Sequence, residues 1–282
     1  MAILRATANV CKSLEKDFKE PAKLDVPGLA LACKRKEYES NFEKGIKMIC
    51  YHNVMIDLKH PSSEKHHFDS EKFKDGKELI INGIKQTNQN VSSGKFDAAR
   101  TALGGILHTL QDFNSHSNWI ELGNDKPFSD LINPDKQLTN LADGMNTCEE
   151  NNKDKKSGAK LLQSIIDKKI LTSGYFGLKK PKGKCSHGGL LDFTTGIGKG
   201  WDGMNKDYTE SNKGHGAQHN KAAKVAIDAT VELLEKILQT ITGPNFLRLV
   251  GLHEDKIAGN PSIPTIDLNS RYPDANKPDQ MV

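Results

Sequence analysis

The chain has 282 residues, of which 36% are hydrophobic and 27% are charged. This balance excludes an intrinsically disordered chain, and no apolar run reaches the roughly 18 residues that a transmembrane helix needs. The formal net charge of +4 is small and its lysines are spread along the chain, so charge does not support nucleic-acid binding.

No interdomain linker is recognisable before about residue 243, where Gly243-Pro244 ends a helical pattern. We therefore predict one domain over residues 1–242 and an irregular, proline-rich tail over residues 243–282, packed on the domain or trailing it. The first five residues lack the apolar core of a secretory signal peptide. The oligomeric state and the source compartment stay open.

Helical periodicity dominates the chain. The predicted helices cover residues 2–19, 37–58, 70–91, 96–115 and 217–241, with shorter ones near 134–145 and 159–168. Apolar side chains recur at helical spacing from Phe96 to Phe113. Because no segment alternates strongly enough to form a sheet, the sequence predicts an all-α, multi-helix bundle with long loops between about residues 123 and 214.

The most informative segment is the end of the fourth predicted helix. His108, Asp112 and His116 follow one another at intervals of four residues and therefore form one stripe on a helix. A shared divalent cation compensates three ionisable groups on one line more completely than hydrogen bonds alone. Gly104 and Gly105 lie one turn earlier and allow another element to come close.

Distant segments offer further candidate ligands. His67 lies at a loop-to-helix junction where Asp69 could cap the third helix, and Asp57 lies ten residues upstream. His215 and His219, four residues apart, begin the last predicted helix. Mixed histidine and aspartate ligation suits zinc better than manganese or iron.

Less specific interpretations stay open beside this one. His108 and Asp112 could form only a mutual hydrogen bond, and His116 with Asn118 could cap the helix. His187 could lie near the site or belong merely to a turn. Trp119 is predicted to be a core residue.

Five cysteines form no Cys-x-x-Cys pair, and their odd number leaves at least one free. Cys148 and Cys185 lie in polar, loop-like sequence, where a disulfide can form if the compartment is oxidising. Cys11 and Cys50 lie in helical patterns and are predicted to pack as small hydrophobic residues.

Several longer motifs carry a family resemblance over about residues 1–241. They include His108 to Leu122, His67-Phe-Asp, Leu171 to Gly177, Lys184-Cys-Ser-His-Gly-Gly189 and Met204-Asn-Lys-Asp207. This set resembles the group of Het-C and von Willebrand factor A domain-containing protein 7. More distantly, it is similar to zinc-dependent phospholipase C and the related single-strand nucleases, which are all-α.

The distant resemblance implies a zinc site made of Asp57, His67, His108 and Asp112, with Asp112 able to bridge to a neighbouring ion. A second site would use His116, His215 and His219, a set that departs from the pattern of that superfamily. The expected cofactor is thus one or two zinc ions, or another divalent metal.

The implied activity is metal-assisted hydrolysis of a phosphoester or another small-molecule substrate, with Asp57 or Glu121 as general base if it is not a ligand. One alternative is a non-catalytic extracellular binding or scaffold module in which the metal is structural. Another keeps the metal as a Lewis acid for a small-molecule cyclisation or isomerisation. The resemblance implies secretion, and peripheral membrane contact stays open.

Overall fold

The computed structural model describes residues 1–149, 159–189, 191–194 and 202–257. Within these ranges the fold is all-α, as predicted, with isolated β-bridges in place of any strand. The α-helices are α1 (Ala2–Leu14), α2 (Val26–Ala32), α3 (Glu39–Lys59), α4 (Glu64–His67), α5 (Phe73–Ser92), α6 (Phe96–His116), α7 (Gln163–Asp167), α8 (His219–Leu238) and α9 (Gly243–Val250). None of these helices is long and apolar enough to cross a membrane.

The chain divides into two compact units. Unit 1 contains residues 1–59, 82–107 and 230–282, and unit 2 contains residues 60–81 and 108–229. The residues of α5, α6 and α8 are shared out between the two units. The predicted division into a domain of residues 1–242 and a tail stays a prediction.

Unit 1 is built around α1, α3 and α9. The buried Arg100 side chain on α6 donates to the carbonyl oxygens of Arg248 and Leu249, at 2.8 Å each, and so satisfies the C-terminal end of α9. Thr242 caps the start of α9 through Asn245. The helical conformation of Gly243–Val250 corrects the irregular conformation predicted there, and residues 258–282 of the predicted tail lie outside the described residues.

Unit 2 combines the C-terminal end of α6 with long irregular segments. Its core includes an aromatic cluster in which ring centroids of neighbouring residues are 4.6–6.1 Å apart. The members of the cluster are Phe68, Phe73, Phe113, Trp119 and Phe128. Trp119 is half-buried and packs against buried core residues. No helix forms over the predicted segment 134–145.

Disulfides join two pairs of cysteines. Cys148 and Cys185 are bonded in unit 2, at the place where the sequence allowed a disulfide. Cys11 is bonded to Cys33 in unit 1, so the prediction that Cys11 packs as a free hydrophobic residue is wrong. The reason is that Cys33 ends α2, a helix that the sequence pattern did not reveal, and this helix packs beside α1. Cys50 is the free thiol.

Gly104 marks the close approach of α6 to α3 in unit 1. A Cβ atom at position 104 would lie 2.5 Å from the Ile49 carbonyl oxygen and 2.7 Å from the His52 Cβ atom. At Gly105 the nearest atom would be the Ile56 Cδ1 atom, at an ordinary 3.6 Å. Only the first of the two neighbouring glycines is therefore required by packing.

The substitution Gly104→Ala should lower the free energy of unfolding by about 1 to 3 kcal/mol, because backbone atoms of α3 must shift to admit the methyl group. Gly105→Ala is the matched control and should be neutral or stabilising by up to about 1 kcal/mol, since alanine favours the helix. Urea unfolding followed by circular dichroism measures both. Equal effects of the two substitutions would contradict the packing argument.

Candidate metal centre

In unit 2, the side chains of His108 and Asp112 on α6 lie next to that of His67. The Asp112 Oδ2 atom lies 2.9 Å from His67 Nδ1 and 3.0 Å from His108 Nε2. These two ring nitrogens are themselves 3.1 Å apart. Both histidines are buried, while the Asp112 side chain is 18% exposed. His67, His108 and Asp112, which we call the first triad, thus converge on one small volume.

The hydrogen bonds of His67 determine which of its nitrogens is available. His67 Nε2 donates to the His60 carbonyl oxygen at 2.9 Å, because a carbonyl oxygen can only accept. In the neutral ring the Nδ1 atom then presents a lone pair to the Asp112 carboxylate. Two groups that both offer lone pairs at 2.9 Å require a proton or a cation between them. Such a histidine, oriented by a backbone carbonyl, is typical of metal ligands.

A second group lies directly beside the first triad. Asp69, His116 and His187 each offer one ligand atom, and these atoms all lie within 4.8 Å of one another. All three side chains are buried, and Asp69 Oδ1 accepts no hydrogen bond. We call this group the second triad. Its His116 Nδ1 atom lies 3.9 Å from Asp112 Oδ2, which brings the two triads next to each other.

The electrostatics of this region are dominated by carboxylates. Burial opposes charge on His116, but the Asp112, Asp207 and Asp69 carboxylates outweigh it and raise the pKa of His116 well above its ordinary value. Burial likewise opposes charge on Asp112, but His116 and His108 outweigh it and hold the pKa of that carboxyl well below its usual range. The cluster therefore demands positive charge, which protons or a divalent cation can supply.

Asp69 is positioned by an unusual stretch of backbone. Phe68, Ser70 and Glu71 all have positive φ angles of 52–61°, a region that residues other than glycine rarely adopt. Strain of this kind persists only where surrounding contacts impose it, and it concentrates at functional sites.

Two sets of contacts impose this conformation. The Glu71 carboxylate accepts hydrogen bonds from Thr172 Oγ1 and Lys184 Nζ, each at 2.6 Å. The backbone nitrogen of Ser70 donates to the Gly174 carbonyl oxygen at 2.8 Å. Residues 172–184 therefore hold the segment that carries Asp69.

His187 is held by the loop that the disulfide of unit 2 anchors. The Tyr175 backbone nitrogen donates to the Cys185 carbonyl oxygen at 2.9 Å, and the His187 backbone nitrogen donates to the Tyr175 carbonyl oxygen at 2.8 Å. His187 lies two residues after the disulfide-bonded Cys185. Gly174 allows this close approach, since a Cβ atom there would lie 2.5 Å from the His187 Cα atom. The loop thereby fixes a histidine whose role the sequence left undecided.

Of the predicted ligands His215 and His219, His215 is bonded to residues outside the two triads, and the role of His219 as a ligand stays a prediction. His215 Nδ1 bonds to the Glu121 carboxylate, and its Nε2 atom donates to the Ala159 carbonyl oxygen at 2.7 Å. Both of its nitrogens are therefore engaged away from the triads. His219 Nδ1 donates to the carbonyl oxygen of Lys206 at 2.5 Å. The structure thus brings together His67, His108, Asp112 and His116 and gives His215 another partner.

The two candidate general bases also differ in their surroundings. Glu121 is only 6% exposed and contacts Lys206 Nζ at 2.9 Å. Burial opposes its charge, but Lys206 and His215 outweigh burial and lower the pKa of Glu121 to about 2. A carboxylate of such low pKa is a weak base at neutral pH, so this environment is unfavourable for the predicted role. Asp57 is an exposed residue of α3 in unit 1, and its predicted roles as ligand or base stay predictions.

Glu121 should make the stability of the fold depend on pH. Its folded pKa of about 2 lies below its ordinary 4.5, so the stabilisation is complete above about pH 4.5 and is lost as the pH falls toward 2. A shift of this size corresponds to about 3 kcal/mol. Unfolding experiments between pH 6 and pH 3 on the wild type and on Glu121→Gln measure it. The difference in stability between the two proteins should shrink as the pH falls, and a constant difference would contradict the assignment.

Three residues of this region were not predicted as ligands from the sequence: Asp69 was considered as a helix cap, the role of His187 was left open, and Asp207 was not considered. Asp207 Oδ1 lies 3.3 Å from His116 Nε2, and its side chain is 40% exposed. Each of the three lies in a motif that carries the family resemblance, namely His67-Phe-Asp, Cys185-Ser-His-Gly-Gly and Met204-Asn-Lys-Asp. Their location in these motifs was the feature of the sequence that could have identified them as site residues.

Comparisons with known proteins give consistent matches. The family model of the VWA7 N-terminal domain matches residues 25–247. Von Willebrand factor A domain-containing protein 7 of Mus musculus is 36% identical over 190 residues, which are 66% of this chain and 21% of that protein. The Homo sapiens protein of the same name is 34% identical over 193 residues, with the same shares. The chain therefore spans about a fifth of the length of these relatives. No solved structure gives a significant match.

Proposed function

The chain belongs to the family of the VWA7 N-terminal domain, as its motifs indicated, and on this premise we propose that it is a zinc-dependent hydrolase of phosphoesters. One observation carries the proposal: the first triad directs the Nδ1 lone pair of His67 and the Nε2 atom of His108 at a single Asp112 oxygen, at 2.9 and 3.0 Å. The chemistry of these donors fits zinc, which binds histidine nitrogen and carboxylate oxygen at about 2 Å.

The residues of the triad have separate tasks in this proposal. His67 is oriented by the His60 carbonyl, and His108 is fixed by its place on α6, so neither needs to rearrange to bind. Asp112 carries the negative charge that compensates the cation. When bound, zinc supplies a water of lowered pKa and positive charge near a phosphoryl oxygen.

A secreted location is part of the proposal. The Cys11–Cys33 and Cys148–Cys185 disulfides support it, because disulfides persist in oxidising compartments and are rare in the cytosol. The substrate could then be a soluble phosphoester or one presented at a membrane surface.

A second candidate function is a non-catalytic binding module in which the metal only stabilises unit 2. The burial of the donors favours it, since the side chains of His67 and His108 are 8% and 7% exposed. Structural zinc sites are closed by four protein ligands, whereas catalytic sites keep one position for water.

The test uses the full chain purified without metal-affinity resin. Elemental analysis gives its metal content, and hydrolysis of a phosphodiester and a phosphomonoester of p-nitrophenol is measured before chelation, after chelation and after addition of zinc. We expect bound zinc and activity that chelation removes and zinc restores. Zinc without hydrolysis would support the binding module, and protein that takes up no metal would refute both functions.

A further inference from the structure

We propose that Asp69, His116 and His187 bind a second divalent cation, next to the first triad. This second triad contains two residues, Asp69 and His187, that the sequence did not assign to a metal. It also places His116 apart from His215, with which the family resemblance had grouped it. The proposal concerns metal binding and stands whether or not the protein is a hydrolase.

The hydrogen bonds of the two histidines set up their ligand atoms. His116 Nδ1 donates to the His67 carbonyl oxygen at 2.8 Å, and His187 Nδ1 donates to the Gly188 carbonyl oxygen at 2.6 Å. With the proton held on Nδ1 in each neutral ring, both Nε2 atoms present lone pairs. Two separate backbone carbonyls thus prepare both rings in the same tautomer, as outer contacts do for metal-binding histidines.

Asp69 supplies an independent observation. Its side chain is 7% exposed and its Oδ1 atom accepts no hydrogen bond. Leaving a buried carboxylate oxygen unsatisfied is costly. His187 Nε2 lies 3.9 Å from this oxygen, too far for a hydrogen bond. A cation between the two atoms would satisfy both at once.

Asp207 adds negative charge beside the second triad. Asp207 Oδ1 lies 3.3 Å from His116 Nε2 and accepts a hydrogen bond from Ser115 Oγ at 2.5 Å. Asp69 and Asp207 together balance the two charges of a divalent ion. Because the Asp207 side chain is 40% exposed, the ion would face solvent on that side and keep room for an external ligand.

The set of donors indicates the kind of ion. Two imidazole nitrogens with a carboxylate oxygen suit zinc, and manganese is the alternative that more oxygen ligands favour. The second triad lies beside Asp112 of the first triad, and if the proposed function holds, this proximity affects the choice of substrate. Two neighbouring cations can hold two oxygens of one phosphoester, so a phosphate ester would be the preferred substrate class.

The experiment is a count of bound zinc, by elemental analysis, on chain stripped by chelation, reloaded with zinc and desalted. We expect two zinc ions per wild-type chain and one in His187→Gln and in Asp69→Asn. His253→Gln removes an imidazole from unit 1 and serves as the matched control, which should keep two ions. A wild type that holds one ion, or a His187→Gln variant that keeps two, would overturn the proposal.

Three further measurements distinguish loss of the ion from misfolding of a variant and from failure of the proposed function. Thermal unfolding of the zinc-free variants shows whether each is folded, and cobalt loading reports the remaining site through its visible absorption. Anomalous diffraction at the zinc edge locates the ions in the wild type directly. A peak within about 2.2 Å of His116 Nε2 and His187 Nε2 is expected. Two ions without phosphoester hydrolysis would sustain this inference while refuting the hydrolase.

Discussion

Replacing Asp112 with asparagine should weaken zinc binding by the first triad by more than about 100-fold. Loss of an outer contact to a metal ligand alone costs about 10- to 100-fold in affinity, and this substitution removes a charged ligand. The effect should be large here because Asp112 Oδ2 is the atom that both His67 Nδ1 and His108 Nε2 approach, at 2.9 and 3.0 Å. Isothermal titration with zinc at pH 7 measures the change in affinity.

Thermal unfolding with and without zinc gives a second measurement of the same prediction. A ligand that binds only the folded state at 100 times its Kd stabilises it by about 2.7 kcal/mol. The wild type should show such a stabilisation and Asp112→Asn should show much less. Asp75→Asn removes an exposed carboxylate from α5 and is the matched control, with an unchanged response. If Asp112→Asn responded to zinc like the wild type, the first triad would not be the zinc site.

The helices of this fold could be predicted because apolar periodicity is a local property of the sequence. On α6 the predicted apolar side chains Phe96, Leu103 and Phe113 are all buried. The ends of the helices were predicted less accurately, since α1 ends at Leu14 and not near residue 19. Helix α2 escaped prediction because its seven residues are too short to show a period.

Helical spacing predicted the candidate site only where its residues lie on one helix, and the family resemblance assigned His67 to it. The spacing of His108, Asp112 and His116 indicated one face, and that face does carry all three. Asp69 was assigned to a helix cap because the positive φ angles around it cannot be deduced from a pattern. His187 depends on a loop held by Cys185, and no local rule places that loop beside α6.

Exchanging Lys206 for methionine should be among the most destabilising single changes in unit 2, by about 3 to 5 kcal/mol, because it would remove one of the two partners of the buried Glu121 carboxylate and leave it with His215. The Lys206 side chain is fully buried and donates to the Glu121 carboxylate at 2.9 Å. It also donates to the carbonyl oxygens of Ser117 and Met204, at 2.9 and 3.1 Å. Methionine can replace none of these hydrogen bonds, although it has a similar length.

Urea unfolding at pH 7 measures this loss, with Lys224→Met as the matched control. Lys224 pairs with Asp228 one turn away on α8, where its side chain is 40% exposed, so its replacement should cost less than about 1 kcal/mol. The double variant Lys206→Met with Glu121→Gln should recover part of the stability, since it removes the carboxylate as well. Strictly additive losses would mean that the two side chains stabilise unit 2 independently. Coupling between them would make Glu121 a structural partner of Lys206 and not a base in catalysis.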